Sequence, residues 1–139
     1  MWTDRLRLVL RLNAATSFAG GAIAALAGPW VSETLGIDHV LITRLVGVGL
    51  VLFAADVLFA STRSPAKLVS EARLISAADF AWVVATVVVL ATGILTTAGV
   101  VVAIVVGLAV GDFGITQLWM RRKILAEGSD AIVAAPALG

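Results

Sequence analysis

Four strongly polar side chains interrupt long apolar stretches of the sequence, one in each stretch: Asn13, Asp56, Asp79 and Asp112. A carboxylate in such a setting can exchange protons, attract a cation or hydrogen-bond a neighbouring segment. Each of the four lies toward the flank of its stretch that carries basic residues. The sequence therefore predicts that they meet as one polar layer, with Asp112, about 10 Å inward from Trp119, as the deepest member.

Other chemistry has few candidates. The chain has no cysteine and a single histidine, His39. It contains no glycine-rich phosphate loop, no Ser–His–Asp set and no cluster with metal-ligand spacing. We therefore expect no catalytic residues, no metal and no cofactor, and a protein that is not an enzyme. The basic residues border the apolar stretches, so nucleic-acid binding is not expected either.

The elements that carry the polar layer are predicted to be membrane-spanning helices. The 139 residues are 60% hydrophobic and only 14% charged, with a mean hydropathy of +1.06. So small a chain cannot bury that much apolar side chain, and about 20 apolar residues suffice to span a bilayer. The expected fold is an all-α polytopic membrane protein, a four-helix bundle with spans at about residues 8–28, 41–60, 76–95 and 99–119. It forms one domain, 1–126, followed by a mobile cytoplasmic tail, 127–139.

Basic residues orient these spans. Nine of the ten Lys and Arg residues precede or open span one, separate spans two and three, or follow span four; Arg44 is the exception. The positive-inside rule then places both termini in the cytoplasm. Four arginines at this border are the expected ion-pair partners of the polar layer: Arg7, Arg11, Arg63 and Arg73.

Residues 64–75 allow two interpretations. Ser64-Pro65 is a typical helix start, and Leu68, Ala72 and Ile75 share one face. The segment is either an interfacial amphipathic helix or an extension of span three into the cytoplasm, and we favour the interfacial helix.

A near-repeat relates the two halves of the sequence. Arg7-Leu8 with Asn13 has the same spacing as Arg73-Leu74 with Asp79, and Asp56 then corresponds to Asp112. A true duplication would give a 2+2 arrangement of parallel halves about an axis along the membrane normal; the alternative is that small-residue hairpins resemble each other. Small residues also mark helix-packing faces, predicted at Gly20, Ala24, Gly28, Gly107 and Gly111.

Structural roles compete with functional ones in the polar layer. Ser76 and Asp79 fit a helix-capping box, Asn13 fits an interhelical hydrogen bond, and Asp56 could pair with Arg63. Structural roles are favoured for these three residues, whereas for Asp112 the two readings are balanced.

The layout resembles that of uncharacterised small four-span inner-membrane proteins of bacteria. The resemblance covers most of the chain and rests on Arg11-Leu12-Asn13, Gly28-Pro29-Trp30, the segment 44–50 and Arg121-Arg122-Lys123. It implies a multi-pass protein of the bacterial plasma membrane and carries no activity with it.

Three functions fit these observations. The favoured one is a non-enzymatic scaffold or accessory subunit, acting as a homo-oligomer or within a larger membrane complex. The alternative is a proton- or cation-coupled transporter or channel that uses Asp112 and Asp56. A weaker alternative is lipid or quinone binding in a cavity walled by Phe53, Phe59, Phe80 and Phe113.

Overall fold

Residues 1–134 fold into five helices. We describe a computed structural model that covers the backbone of residues 1–134 and the side chains of residues 1–128. Its helices are α1 (Trp2–Leu26), α2 (Gly28–Leu35), α3 (Val40–Ala60), α4 (Pro65–Thr92) and α5 (Thr97–Ala134). All of them except α2 are long and apolar enough to cross a membrane. The predicted all-α, four-span bundle is thereby confirmed.

Glycine and proline set the helix boundaries. Pro29 follows the first residue of α2, and Pro65 opens α4, where its missing N–H leaves no helical hydrogen bond unmade. Gly36 ends α2 with φ of 82°, and Gly93 ends α4 with φ of 69°. Only glycine adopts this left-handed conformation without a steric penalty.

Helix α4 runs without interruption from Pro65 to Thr92, so the expected interfacial helix at residues 64–75 is wrong. No strong helix breaker occurs before Gly93. Leu68, Ala72 and Ile75 are buried against residues of α1 and α3, so their apolar face contacts protein rather than the bilayer surface.

The spanning helices are longer than the sequence suggested. At about 1.5 Å per residue, α5 measures roughly 57 Å, nearly twice the ~30 Å hydrocarbon thickness. The expected tail therefore begins as helix: residues 127–134 continue α5, and residues 135–139 lie outside the described part of the chain.

The helices form two hairpin pairs. Helix α1 packs along α3 and α4 packs along α5; α1 also contacts α5, whereas α3 and α4 touch little. The pseudo-two-fold symmetry that a duplication would give stays a prediction, and the two contacts between the pairs are unequal.

The basic clusters meet at one end of the bundle. Arg7 Nη2 donates a hydrogen bond to the Arg63 carbonyl (3.0 Å), and Arg121 Nε donates to the Val69 carbonyl (3.1 Å). Trp2 and Trp119 pack edge to face there, with ring centroids 5.0 Å apart. We call this the arginine-rich end. At the other end, α2 packs on α3 and α5.

The hydrophobic core lies toward the arginine-rich end. Its buried residues come from α1, α3 and α4, and α5 adds partly buried residues that pack against them: Leu6, Leu10, Ala14, Val57, Ala60, Leu68, Ala72 and Ile75, with Met120 and Ile124. Toward the α2 end most large apolar side chains are exposed, as expected of surfaces that face lipid.

Helices α1 and α3 cross at two glycines. A Cβ added at Gly21 would lie 2.7 Å from the Gly47 carbonyl oxygen, and one added at Gly47 would lie 2.5 Å from the Ala25 nitrogen. The predicted contact at Gly20 is corrected to its neighbour, since a Cβ at Gly20 would meet no atom within 4 Å. Ala24, the other half of that predicted stripe, does lie at the crossing, beside Gly47.

The remaining predicted packing glycines all face another part of the chain. Gly28 lies against the Arg44 side chain, Gly107 against Thr86 and Gly111 against Val83. Of these, Gly28 has the tightest surroundings, because a Cβ there would lie 2.6 Å from Arg44 Cγ.

Candidate functional site

Three buried side chains from three helices meet halfway along α4. Asn13 Nδ2 donates hydrogen bonds to both Asp79 oxygens, at 3.2 Å to Oδ1 and 2.9 Å to Oδ2. Gln117 Nε2 donates to Asp79 Oδ2 at 3.0 Å. The exposed fractions are 1% for Asn13, 3% for Asp79 and 0% for Gln117. We call these three residues the amide–carboxylate cluster.

Two serines extend the cluster. Ser76 Oγ lies 2.8 Å from the Ala72 carbonyl and 3.3 Å from Gln117 Oε1. Ser17 Oγ lies 3.2 Å from Asn13 Oδ1. The predicted capping box is wrong, because Ser76 lies eleven residues inside α4 rather than at its start.

The Asp79 carboxylate has neutral partners only. Asn13 and Gln117 supply its side-chain hydrogen bonds, and no Arg, Lys or His lies within 4 Å of its oxygens in residues 1–128. Charge-assisted hydrogen bonds compensate part of the cost of burying a carboxylate, but its charge is left without a countercharge in the described chain.

The structure does not bring Asp56 or Asp112 into this cluster, and the expectation of a four-residue layer is corrected at these two positions. Both side chains are exposed on spanning helices. On α3 the bundle-facing positions are Ala54, Val57 and Ala60, which turns Asp56 outward.

On α5 the sequence reading missed Gln117. Asp112 is the only carboxylate of the predicted fourth span. Gln117 lies five residues further along α5, about 140° around the helix. Only one of the two can face the bundle centre. The available signal was the long polar side chain of Gln117 itself, two residues before the predicted end of the span at Trp119.

None of the four predicted arginine partners pairs with a residue of the predicted polar layer in the part of the chain with described side chains. Arg7 contacts Asp4 at 3.6 Å and the Arg63 carbonyl, and the Arg63 guanidinium lies 4.1 Å from the centre of the Phe59 ring. Arg11 and Arg73 are exposed.

A cavity of about 570 Å³ adjoins the cluster on the side of the α2 end. All four spanning helices line it, and along α5 it extends from Phe113 to Val105, about 12 Å. Its polar edge is formed by Thr16, Ser17 and Asp79.

Aromatic rings form part of the cavity wall. Phe53, Trp82 and Phe113 line it, whereas Phe59 is exposed and Phe80 packs beside Gly114. The expected four-phenylalanine wall is thus corrected to two phenylalanines and a tryptophan. The Trp82 Nε1 hydrogen is buried and has no acceptor in the described structure.

The site therefore combines a carboxylate held by amides with an apolar, partly aromatic cavity. Within the described residues, no group of three or more His, Cys, Asp or Glu side chains is arranged to hold a metal ion. Comparisons with protein-family models, with curated proteins and with solved structures found no match for this chain.

Proposed function

We propose that this protein is a non-enzymatic membrane scaffold that associates with further copies of itself through its lipid-facing surface. The observation that carries the proposal is the exposure of Asp56 and Asp112 on spanning helices. A carboxylate within a span costs on the order of 3 kcal/mol at mid-bilayer, and such residues are normally paired or covered. Neither carboxylate has a partner in the described chain.

A second copy can supply a countercharge. Arg11 of α1 is exposed and has no partner in the described residues. Helix α3 runs antiparallel to α1 and crosses it where Gly47 meets Gly21 and Ala25. Asp56, nine residues beyond Gly47, therefore lies within about one helical turn of the level of Arg11. Two parallel copies related by a two-fold axis would pair Arg11 with Asp56 twice.

The expected setting is the plasma membrane of a bacterium, with the arginine-rich end in the cytoplasm. The supporting observation is that the basic clusters come together at one end of the bundle, as the positive-inside rule requires of a cytoplasmic face.

A charge-exchange experiment tests the association. Arg11→Glu gives a chain with two acidic groups at the contact, and Asp56→Arg gives one with two basic groups. We expect each variant alone to dissociate at least tenfold more readily than the wild type, because like charges then face each other. Mixed in one detergent solution under different tags, the two variants should copurify with each other.

Matched controls separate this contact from general charge effects. Arg122→Glu and Asp38→Arg make the same charge changes at exposed positions outside the contact, and these variants should associate like the wild type. A wild type that is monomeric in mild detergent and in native membranes would refute the proposal, as would single variants that fail to copurify when mixed.

The structure adds no support for the alternative function, a proton- or cation-coupled transporter or channel. Asp56 and Asp112, the residues on which it depends, are not among the residues that line the central cavity. Loss of association in the Asp56→Arg variant, with no change in proteoliposome ion flux, is the result we expect.

A further inference from the structure

We propose that the cavity between the four spanning helices is a binding site for a hydrophobic organic cation, whose charged group sits at Asp79. The inference does not depend on self-association, because every residue it uses belongs to one chain.

The cavity has the size and surface of a small-molecule site. Its volume of about 570 Å³ lies within the roughly 300–1,000 Å³ of typical ligand pockets, which combine apolar walls with a few polar groups. Here the walls are formed by side chains such as Leu50, Ala109 and Val110, and the polar groups are confined to one edge. A ligand with an apolar body and one polar end matches that division.

The negative charge of Asp79 determines which kind of polar group the ligand carries. Asp79 lies at the edge of the cavity and accepts hydrogen bonds from two neutral amides, with no cation within 4 Å in residues 1–128. Two charges attract far more strongly where water is excluded than they do in water. A cationic ligand would therefore gain more at this carboxylate than a neutral one of the same shape.

The aromatic wall favours the same class of ligand. Phe53, Trp82 and Phe113 line the cavity on three different helices. Aromatic faces attract ammonium and related organic cations, most strongly at tryptophan and where water is excluded.

Equilibrium dialysis with labelled tetraphenylphosphonium tests the proposal. The protein is placed in phosphatidylcholine nanodiscs, and empty nanodiscs provide the correction for partition into lipid. We expect saturable binding of one cation per chain. Asp79→Asn, which keeps the side-chain shape and removes the charge, should weaken binding at least tenfold. Asp112→Asn removes a carboxylate from an exposed position and should leave binding unchanged.

A second pair of variants keeps the test decisive if Asp79→Asn does not fold. Gly49 lines the cavity, and a Cβ there meets no atom within 4 Å, so Gly49→Leu fills the space without touching Asp79. It should abolish binding, whereas Val48→Leu on the neighbouring exposed position should not. Absence of saturable binding by the wild type, equal affinity of Asp79→Asn and wild type, or equally strong binding of a neutral quinone would each overturn the proposal.

Discussion

Asp79 is the central residue of the amide–carboxylate cluster. Its carboxylate receives hydrogen bonds from α1 through Asn13 and from α5 through Gln117, so a single side chain of α4 connects three helices. These hydrogen bonds matter for stability because the three side chains are buried, and an unpaired polar group in an apolar interior costs about 1–3 kcal/mol. The cluster therefore fixes the rotation of each helix about its own axis.

Removing one amide should destabilise the bundle. Asn13→Leu and Gln117→Leu each take donors away from Asp79, and we expect each to lower the free energy of unfolding by about 1–2 kcal/mol. Reversible unfolding in mixed detergent micelles measures the loss.

Asp112→Leu is the matched control for the two amide variants. It replaces an exposed carboxylate on a spanning helix, and we expect unfolding to be unchanged or less favourable. If Asn13→Leu lowered the free energy of unfolding no more than Asp112→Leu does, the amide–carboxylate cluster would not contribute to stability.

The sequence was sufficient to identify Asn13 and Asp79 but not their partner. Strong polarity in an apolar stretch is visible without coordinates. Which polar residue of α5 faces inward depends on the rotation of the helix about its own axis. Successive residues differ by about 100° around that axis, so one position can be buried while a nearby one is exposed. Asp112 and Gln117 are both plausible by composition, and only the packing of Gly107 and Gly114 toward α4 distinguishes them.

At the scale of elements, α1 and α3 approach each other closely where they cross. Close contact of small residues is the main way in which helices associate in lipid. The atoms that a larger residue at Gly21 or Gly47 would meet are mainly backbone atoms of the other helix, which cannot move without separating the pair.

Two neighbouring glycines give a direct test of this crossing. Gly21→Ala should destabilise the protein by about 1–3 kcal/mol through overpacking. Gly20→Ala should be neutral or stabilising by up to about 1 kcal/mol, because alanine is the better helix former and the position is open. Thermal unfolding of both variants in one detergent gives the comparison, and the opposite order would rule out this register of α1 against α3.

The sequence predicted the right region of this contact and the wrong residue. Small residues occur on several faces of α1 around Gly20 and Gly21, so a stripe at four-residue spacing can be drawn in more than one way. Helix α4 shows the converse problem: its amphipathic start suits either a bilayer surface or a protein core, and periodicity alone does not distinguish the two.

At the scale of the whole molecule, packing is uneven along the bundle axis. The core and the basic clusters lie toward the arginine-rich end, and the cavity lies on the far side of the amide–carboxylate cluster. Composition and the positions of the basic residues were enough to predict four spans. The sequence suggested a cavity walled by phenylalanines, but the outline of that cavity depends on helix packing, in which α1 contacts α5 extensively and α3 contacts α4 little.

The absence of cysteine makes orientation simple to measure. We expect a membrane-impermeant maleimide to label Asp38→Cys in intact cells and to label Ser64→Cys only after permeabilisation, because the positive-inside rule predicts a cytoplasmic location for the end that carries the basic clusters. Both positions are exposed in the structure. Labelling of Ser64→Cys in intact cells would reverse the proposed topology.

The long separation of the cluster's members along the chain has a consequence for biogenesis. Asn13 is 66 residues from Asp79, which is a further 38 residues from Gln117. At about 5–20 residues per second, a ribosome needs several seconds to reach Asp79 after Asn13, and several more to reach Gln117. During that interval the Asn13 side-chain N–H groups of the newly synthesised first helix lack the Asp79 acceptor to which they donate in the folded bundle.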